Sequence, residues 1–186
     1  MSIEVTATIF HRTRENSMKV AQQISDILGK HISDDAINPI TVTRTLSAAI
    51  AGQICSRTNE AASLAMFREM LNMAIEHDDI ARYVPMSNWK TSRLSNDAEY
   101  DWKAACHELE CFINDYGANE DDHRSIEVAT ALNNVLASVI FHTWADDDGF
   151  VSRDLIDDIY DEIEHAVYAA MKVERWREQN DVRTAQ

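Results

Sequence analysis

The chain has few residues that interrupt regular structure: its 186 residues include four glycines and two prolines. These two residue types together usually make up roughly 12% of a protein. Such scarcity indicates long regular elements joined by short loops, and it favours helices over a fold with many turns. A chain of this length removes roughly 70% of its unfolded surface from water, which is enough for a real core.

Several hallmarks of secreted, membrane and cofactor-binding proteins are also missing. The three cysteines form no framework pattern, so they predict reduced thiols in the cytoplasm. The first residues lack the basic and apolar segments of a secretory signal, and no stretch approaches the ~18 apolar residues of a membrane span. No phosphate-binding loop, dinucleotide fingerprint or nucleophile elbow occurs. We therefore expect a cytoplasmic protein without membrane contact or cofactor, and a non-enzymatic role is favoured.

Net charge is absent from the first half of the chain and concentrated in the second. Residues 1–93 contain ten acidic and ten basic residues, whereas residues 94–186 contain 22 acidic and seven basic ones, which is the whole net charge of −15. A general bias towards acidic residues would affect both halves alike, so this asymmetry is specific to the molecule. Asymmetric electrostatic fields of this kind steer binding partners. Acidity opposes direct binding to nucleic acid or anionic lipid, so the predicted partner is a basic protein surface.

Apolar residues recur at helical spacing, which predicts an all-α fold: a compact bundle of six helices. The predicted helices lie at about 14–28, 39–54, 60–83, 97–116, 124–144 and 153–176. The fifth is apolar around most of its circumference and should be the most buried. Asn96 with Glu99 matches a capping box that would start the fourth helix. Residues 3–9 alternate between apolar and polar, which predicts a short extended N-terminal segment.

The same pattern divides the chain into a neutral three-helix half at 1–83, a linker at 84–96, an acidic three-helix half at 97–178 and a flexible tail at 179–186. An offset of 86 residues places the apolar stripe of 42–54 on that of 128–140. Two tandem copies of one three-helix unit would explain this alignment. Helical periodicity alone would also produce it, so both interpretations stay open.

Nine carboxylates and one cation, Arg153, lie between residues 146 and 165. On the predicted sixth helix the acids form two neighbouring ridges, because residues four apart share a face. The candidate binding residues are Asp146, Asp147, Asp148, Asp154, Asp157, Asp158, Asp161, Glu162 and Glu164. A second acidic cluster occupies 97–122. A rigid carboxylate array can occupy a groove built for phosphates, so the prediction is a protein-binding module, in its sharpest form a nucleic-acid mimic that inhibits a restriction or CRISPR-type machine.

Two motifs that contain histidine suggest alternative functions. The pair His77-Asp78 resembles the doublet of HD-domain phosphohydrolases, which are also helical, and this resemblance implies a small metal-dependent hydrolase. His107 and Cys111 share a helix face and resemble a zincin motif with cysteine in place of its second histidine, so they form a possible zinc pair. No third ligand is evident, and no metal site is predicted. A third alternative is a homo-oligomeric structural protein, such as a dimer joined through the N-terminal segment.

The loop around Asp146, Asp148 and Gly149 resembles the middle of an EF-hand calcium loop. Trp144 and Leu155, however, occupy the positions of its first and last ligands, where oxygen donors are required. The sequence therefore predicts a turn at this loop rather than a calcium site.

Overall fold

A computed structural model of the chain describes residues 3–31, 36–55, 59–76, 93–95, 98–117, 122–147 and 150–184. Within these ranges the fold is all-α with six helices packed as a compact bundle, which confirms the predicted class. The first half contains α1 (Ile3–Lys30), α2 (Pro39–Cys55) and α3 (Glu60–Glu76). The second half contains α4 (Trp102–Gly117), α5 (Asp122–Trp144) and α6 (Arg153–Thr184).

Two very short strands connect the segments that precede α2 and α4. The strands β1 (Ala36–Ile37) and β2 (Arg93–Leu94) pair in parallel. Close by, the Asn38 side-chain amide donates to the Ala98 carbonyl over 3.4 Å. These contacts hold the starts of the two helices side by side.

Polar side chains cap the starts of three helices by accepting a free backbone N–H. The pairs are Asn38 with Thr41 in α2, Asn59 with Ala62 in α3, and Asp101 with Ala104 in α4, each at 3.1 Å. The predicted capping box at Asn96 and Glu99 is wrong, because α4 begins at Trp102. Asp101 supplies the cap at the residue just before this start, so nothing requires the helix to extend back to Asn96.

The prediction of an extended segment at residues 3–9 is also wrong, since α1 begins at Ile3. Alternating β-branched and polar residues favour a strand locally. This segment, however, directly precedes a strongly amphipathic helix, and each residue added to an existing helix gains a hydrogen bond. Helix propagation therefore overrides the local pattern. The strand on which the N-terminal homo-oligomer depended is not formed.

Helix α5 is the most buried element of the described chain, as predicted. Every residue from 131 to 140 is buried, including Asn133, Asn134 and Ser138. Helix α2 is the second central element, and its side chains at Val42, Leu46, Ile50 and Ile54 are fully enclosed. Burial of this kind is worth roughly 1.5–3 kcal/mol for each large aliphatic side chain, so these two helices supply much of the core.

The helices of the two predicted halves pack mainly against each other. The principal pairs are α1 with α5, α2 with α6, α3 with α5, α2 with α5, α2 with α4 and α1 with α4. Exchanging α1, α2 and α3 for α4, α5 and α6 leaves this set unchanged, which is the pattern of a pseudo-twofold axis. The packing favours a duplicated unit, which stays a hypothesis. Of the predicted linker, residues 84–92 and 96 lie outside the described residues, and α6 continues past residue 178 to Thr184.

Candidate partner-binding surface

Helix α6 carries six of the nine predicted binding residues, and its burial determines which of them face solvent. Its inward face holds Ile159, Ile163 and Val167, all buried. Residues on the opposite side of a helix must then point outward. Asp154, Asp158 and Asp161 occupy that outward stripe and are exposed. The apolar face of α6 therefore orients its acids.

Asp157 lies on the flank of α6 that faces α3. Its Oδ1 atom accepts a hydrogen bond from Arg68 Nη2 at 2.8 Å. The same guanidinium lies 4.5 Å from the centre of the Tyr160 ring. Arg68 thus binds a carboxylate and an aromatic face of α6 together. Burial raises the pKa of Tyr160, and the neighbouring Glu164 carboxylate raises it further, while Arg68 opposes both.

Glu162 lies on the other flank of α6 and faces α2. Arg44 Nε donates to its Oε1 atom at 3.2 Å. The two flanking acids are therefore paired with arginines of the neutral half of the chain. Exposed pairs of this kind contribute little stability, typically below about 1 kcal/mol, so the buried apolar face, and not these pairs, sets the rotation of the helix.

The predicted ridges consequently separate into two groups. Asp157 and Glu162 are used within the molecule. For Asp154, Asp158 and Asp161, the described part of the chain provides no ion pair with Lys or Arg. Their backbone positions rise by about 6 Å and then about 4.5 Å along the helix. They form what we call the outward stripe, a row of three carboxylates on a rigid helix.

The loop before α6 has a more local role. The Asp146 side chain accepts from Phe150 N at 2.8 Å, and Asp146 N donates to Phe150 O at 2.9 Å. Asp146 therefore closes the turn, in agreement with the predicted turn. Asp147 is exposed, and Asp148 lies outside the described residues. Phe150 is 73% exposed beside the start of α6.

The chain matches no family model, no curated protein and no solved structure. Its function is therefore inferred from its side chains alone. Across the described helices, none combines the length and apolar character required to span a membrane.

Two members of the second acidic cluster, Glu108 and Asp101, are engaged with other groups of the protein. Glu108 accepts from Lys30 and lies 3.0 Å from His31 Nε2. The lysine hydrogen bond first, and the histidine second, lower the pKa of Glu108 below its ordinary value. Asp101 caps α4, while Glu110 and Asp115 are exposed. This cluster therefore differs from the outward stripe, because part of it serves the fold.

Of the two metal alternatives, only the pair His107 and Cys111 lies within the described residues. Among the described residues, no three or more His, Cys, Asp or Glu side chains converge as metal ligands. His77 and Asp78 lie outside the described residues, so the hydrolase alternative stays a prediction. The structure does bring His107 and Cys111 together, with 3.9 Å between Nε2 and Sγ.

A buried carboxylate that sequence reasoning missed lies where α1, α4 and α5 meet. Glu127 is only 5% exposed. It accepts from Asn16 Nδ2 at 2.8 Å and from the Tyr116 hydroxyl at 2.6 Å. Arg124 donates to the Tyr116 carbonyl at 3.2 Å and lies 5.4 Å from the ring centre. Asn16 and Tyr116 also line a groove of about 400 Å³ between α1 and α4.

This network predicts a pH dependence. Burial first, and the hydrogen bond to Glu127 second, raise the pKa of Tyr116 to about 12. A group with a raised folded-state pKa contributes stability below its unfolded pKa of about 10 and loses that contribution as pH rises through the folded value. The stability advantage of the natural chain over Tyr116→Phe should therefore shrink from pH 10 towards 12. Urea unfolding of both proteins across this range measures it, and a constant difference would contradict the prediction.

Proposed function

We propose that this chain is a non-enzymatic binding protein whose outward stripe docks on a basic surface of another protein. One observation carries the proposal: the flanking acids of α6 are already paired with Arg44 and Arg68, while Asp154, Asp158 and Asp161 face solvent without an ion pair in the described chain. The buried apolar face of α6 keeps the row of charges in one orientation. A partner therefore meets carboxylates that are already ordered, which reduces the entropy lost on binding.

Charge complementarity defines the chemistry of the partner. A row of carboxylates attracts arginine and lysine side chains and speeds encounter. The sharper form of the proposal is that this basic surface is a nucleic-acid-binding groove, so that the chain inhibits a restriction or CRISPR-type machine by occupying it. The three described cysteines form no disulfide, which fits the cytoplasm where such machines work.

The first test reverses the outward stripe. We expect the triple variant Asp154→Lys, Asp158→Lys, Asp161→Lys to lose roughly 100-fold or more in affinity for the partner captured by the natural chain, because each reversal replaces attraction with repulsion. Affinity of the natural chain should fall steeply with salt, since the contacts are ionic. Titration calorimetry with the captured partner at several salt concentrations measures both effects.

A matched control changes the net charge equally at other exposed sites, using Glu15→Lys, Glu69→Lys and Glu110→Lys. This control should retain most of the affinity. Equal losses in the two triple variants would show that total charge matters and that the stripe does not. Duplex DNA should displace the chain from its partner if the bound surface is a nucleic-acid groove, and simultaneous binding of both would contradict the sharper form.

A further inference from the structure

An independent feature of the surface lies on α4, away from the outward stripe. Lys103, His107, Cys111 and Asp115 follow one another at four-residue spacing and are all exposed. Residues at this spacing form a continuous ridge along a helix. We call these four residues the α4 ridge. Its two central members, His107 and Cys111, are of the two residue types that most often bind structural zinc.

The central pair has a separation that suits a shared metal. Zinc lies about 2.3 Å from a thiolate and about 2.0 Å from an imidazole nitrogen, so at a tetrahedral angle the two ligand atoms are about 3.5 Å apart. His107 Nε2 and Cys111 Sγ are 3.9 Å apart. A small adjustment of exposed side chains closes this difference. The separation of the pair therefore suits two of the four ligands of a tetrahedral zinc ion.

The described residues of the same molecule do not supply the other two ligands. No third His, Cys, Asp or Glu joins the pair within the described residues. A second copy of the chain supplies two more ligands if the two ridges meet antiparallel about a twofold axis, because such an interface contacts itself. His107 of each copy then faces Cys111 of the other.

The ends of the ridge fit the same arrangement. Along the helix, Lys103 and Asp115 are equally distant from the midpoint between His107 and Cys111. An antiparallel pair of ridges therefore places Lys103 of each copy opposite Asp115 of the other, which gives two ion pairs. Lys103 makes only a distant contact with the Trp102 ring, at 5.9 Å, and has no described ion pair. The ridge is thus self-complementary in charge as well as in metal ligands.

We propose that a zinc ion bridges two copies of this chain through His107 and Cys111 of each. The site is closed, with two thiolates and two neutral imidazoles. Binding releases two thiol protons for each zinc ion, so the positive charge of the metal is neutralised by the two sulfurs. This proposal does not depend on the outward stripe or on the protein partner.

The test is zinc titration of the full chain with a phosphine reductant and no chelator. Sedimentation equilibrium should show a change from the 21.1 kDa monomer to twice that mass, with one zinc bound for every two chains. Cobalt substitution should give thiolate-to-metal absorption. Cys111→Ser and His107→Gln should each abolish the mass change, whereas Cys106→Ser, a thiol on the same helix outside the ridge, should preserve it.

Charge reversal within the ridge gives a second readout. Lys103→Glu alone should raise the zinc concentration needed for dimerisation at least tenfold, and adding Asp115→Lys should restore it, because the exchanged charges again face each other. Zinc bound without any mass change would overturn the proposal. So would a dimer that persists after EDTA removes the metal, since that dimer does not depend on zinc.

Discussion

Replacing Glu127 with alanine should lower the free energy of unfolding by about 3 kcal/mol, because hydrogen bonds to a buried charged group are worth roughly 1.5–3 kcal/mol each. The change removes a side chain that is 5% exposed and leaves the half-buried Tyr116 hydroxyl and Asn16 amide without their acceptor. For a chain of this length, this loss corresponds to a decrease in Tm of roughly 6–12 °C. Urea unfolding followed by circular dichroism measures it.

Glu127→Gln is the matched variant, because it keeps the shape of the side chain and removes its charge. Its carbonyl still accepts from Asn16, and the Tyr116 hydroxyl can rotate to accept from the new amide group. We expect a stability within about 1 kcal/mol of the natural chain, since the lost charge also removes a desolvation cost. If the Ala and Gln variants were equally unstable, the negative charge itself, rather than the hydrogen-bond geometry, would hold the three helices together.

The burial of Glu127 could not be predicted from the sequence. The apolar pattern of α5 correctly predicted the most buried helix, since period and composition are local properties. The partners of Glu127 come from α1 and α4, and Asn16 is 111 residues away along the chain. A carboxylate at the start of an apolar helix was the available signal. Local spacing could not reveal the hydrogen-bond donors, Asn16 and Tyr116, that compensate for the desolvation of the buried carboxylate.

The acidic residues of α6 illustrate the same limit. Residue spacing placed Asp157 and Asp158 on neighbouring ridges of the helix, and the sequence predicted both as partner-binding residues. In the fold, Asp157 pairs with Arg68, which is 89 residues away, and Asp158 faces solvent. Helical periodicity determines which acids share a ridge. Only the packing of α6 against α2, with Arg68 of α3 reaching across to Asp157, determines which ridge members are already neutralised.

Replacing the outward stripe with asparagine, at Asp154, Asp158 and Asp161, should make the protein more stable. Between Asp154 and Glu164 there are six like-charge pairs at spacings of three or four residues, and each involves at least one of these three residues. At roughly 0.2–0.5 kcal/mol for each pair, their removal should raise the free energy of unfolding by about 1–3 kcal/mol. The gain should be greatest at low salt and shrink at high salt, because the repulsion is screened.

The control for this experiment neutralises the flanking acids, with Asp157→Asn and Glu162→Gln. These changes remove three of the same like-charge pairs, but they also remove the ion pairs with Arg68 and Arg44. We expect no net gain in stability from this double variant. Equal stabilisation by the two variants would show that the flanking pairs do not matter to the fold, and it would remove the reason for distinguishing the stripe from its neighbours.

The combined result decides whether the outward stripe is functional. A surface that weakens its own fold persists when activity needs it, since substitutions that relieve the cost are easy to find. Gain of stability together with loss of partner binding in the asparagine variant is the outcome expected of a binding site. If the variant became more stable and still bound the partner with unchanged affinity, the stripe would be an ordinary solvated face, and the proposed function would be wrong.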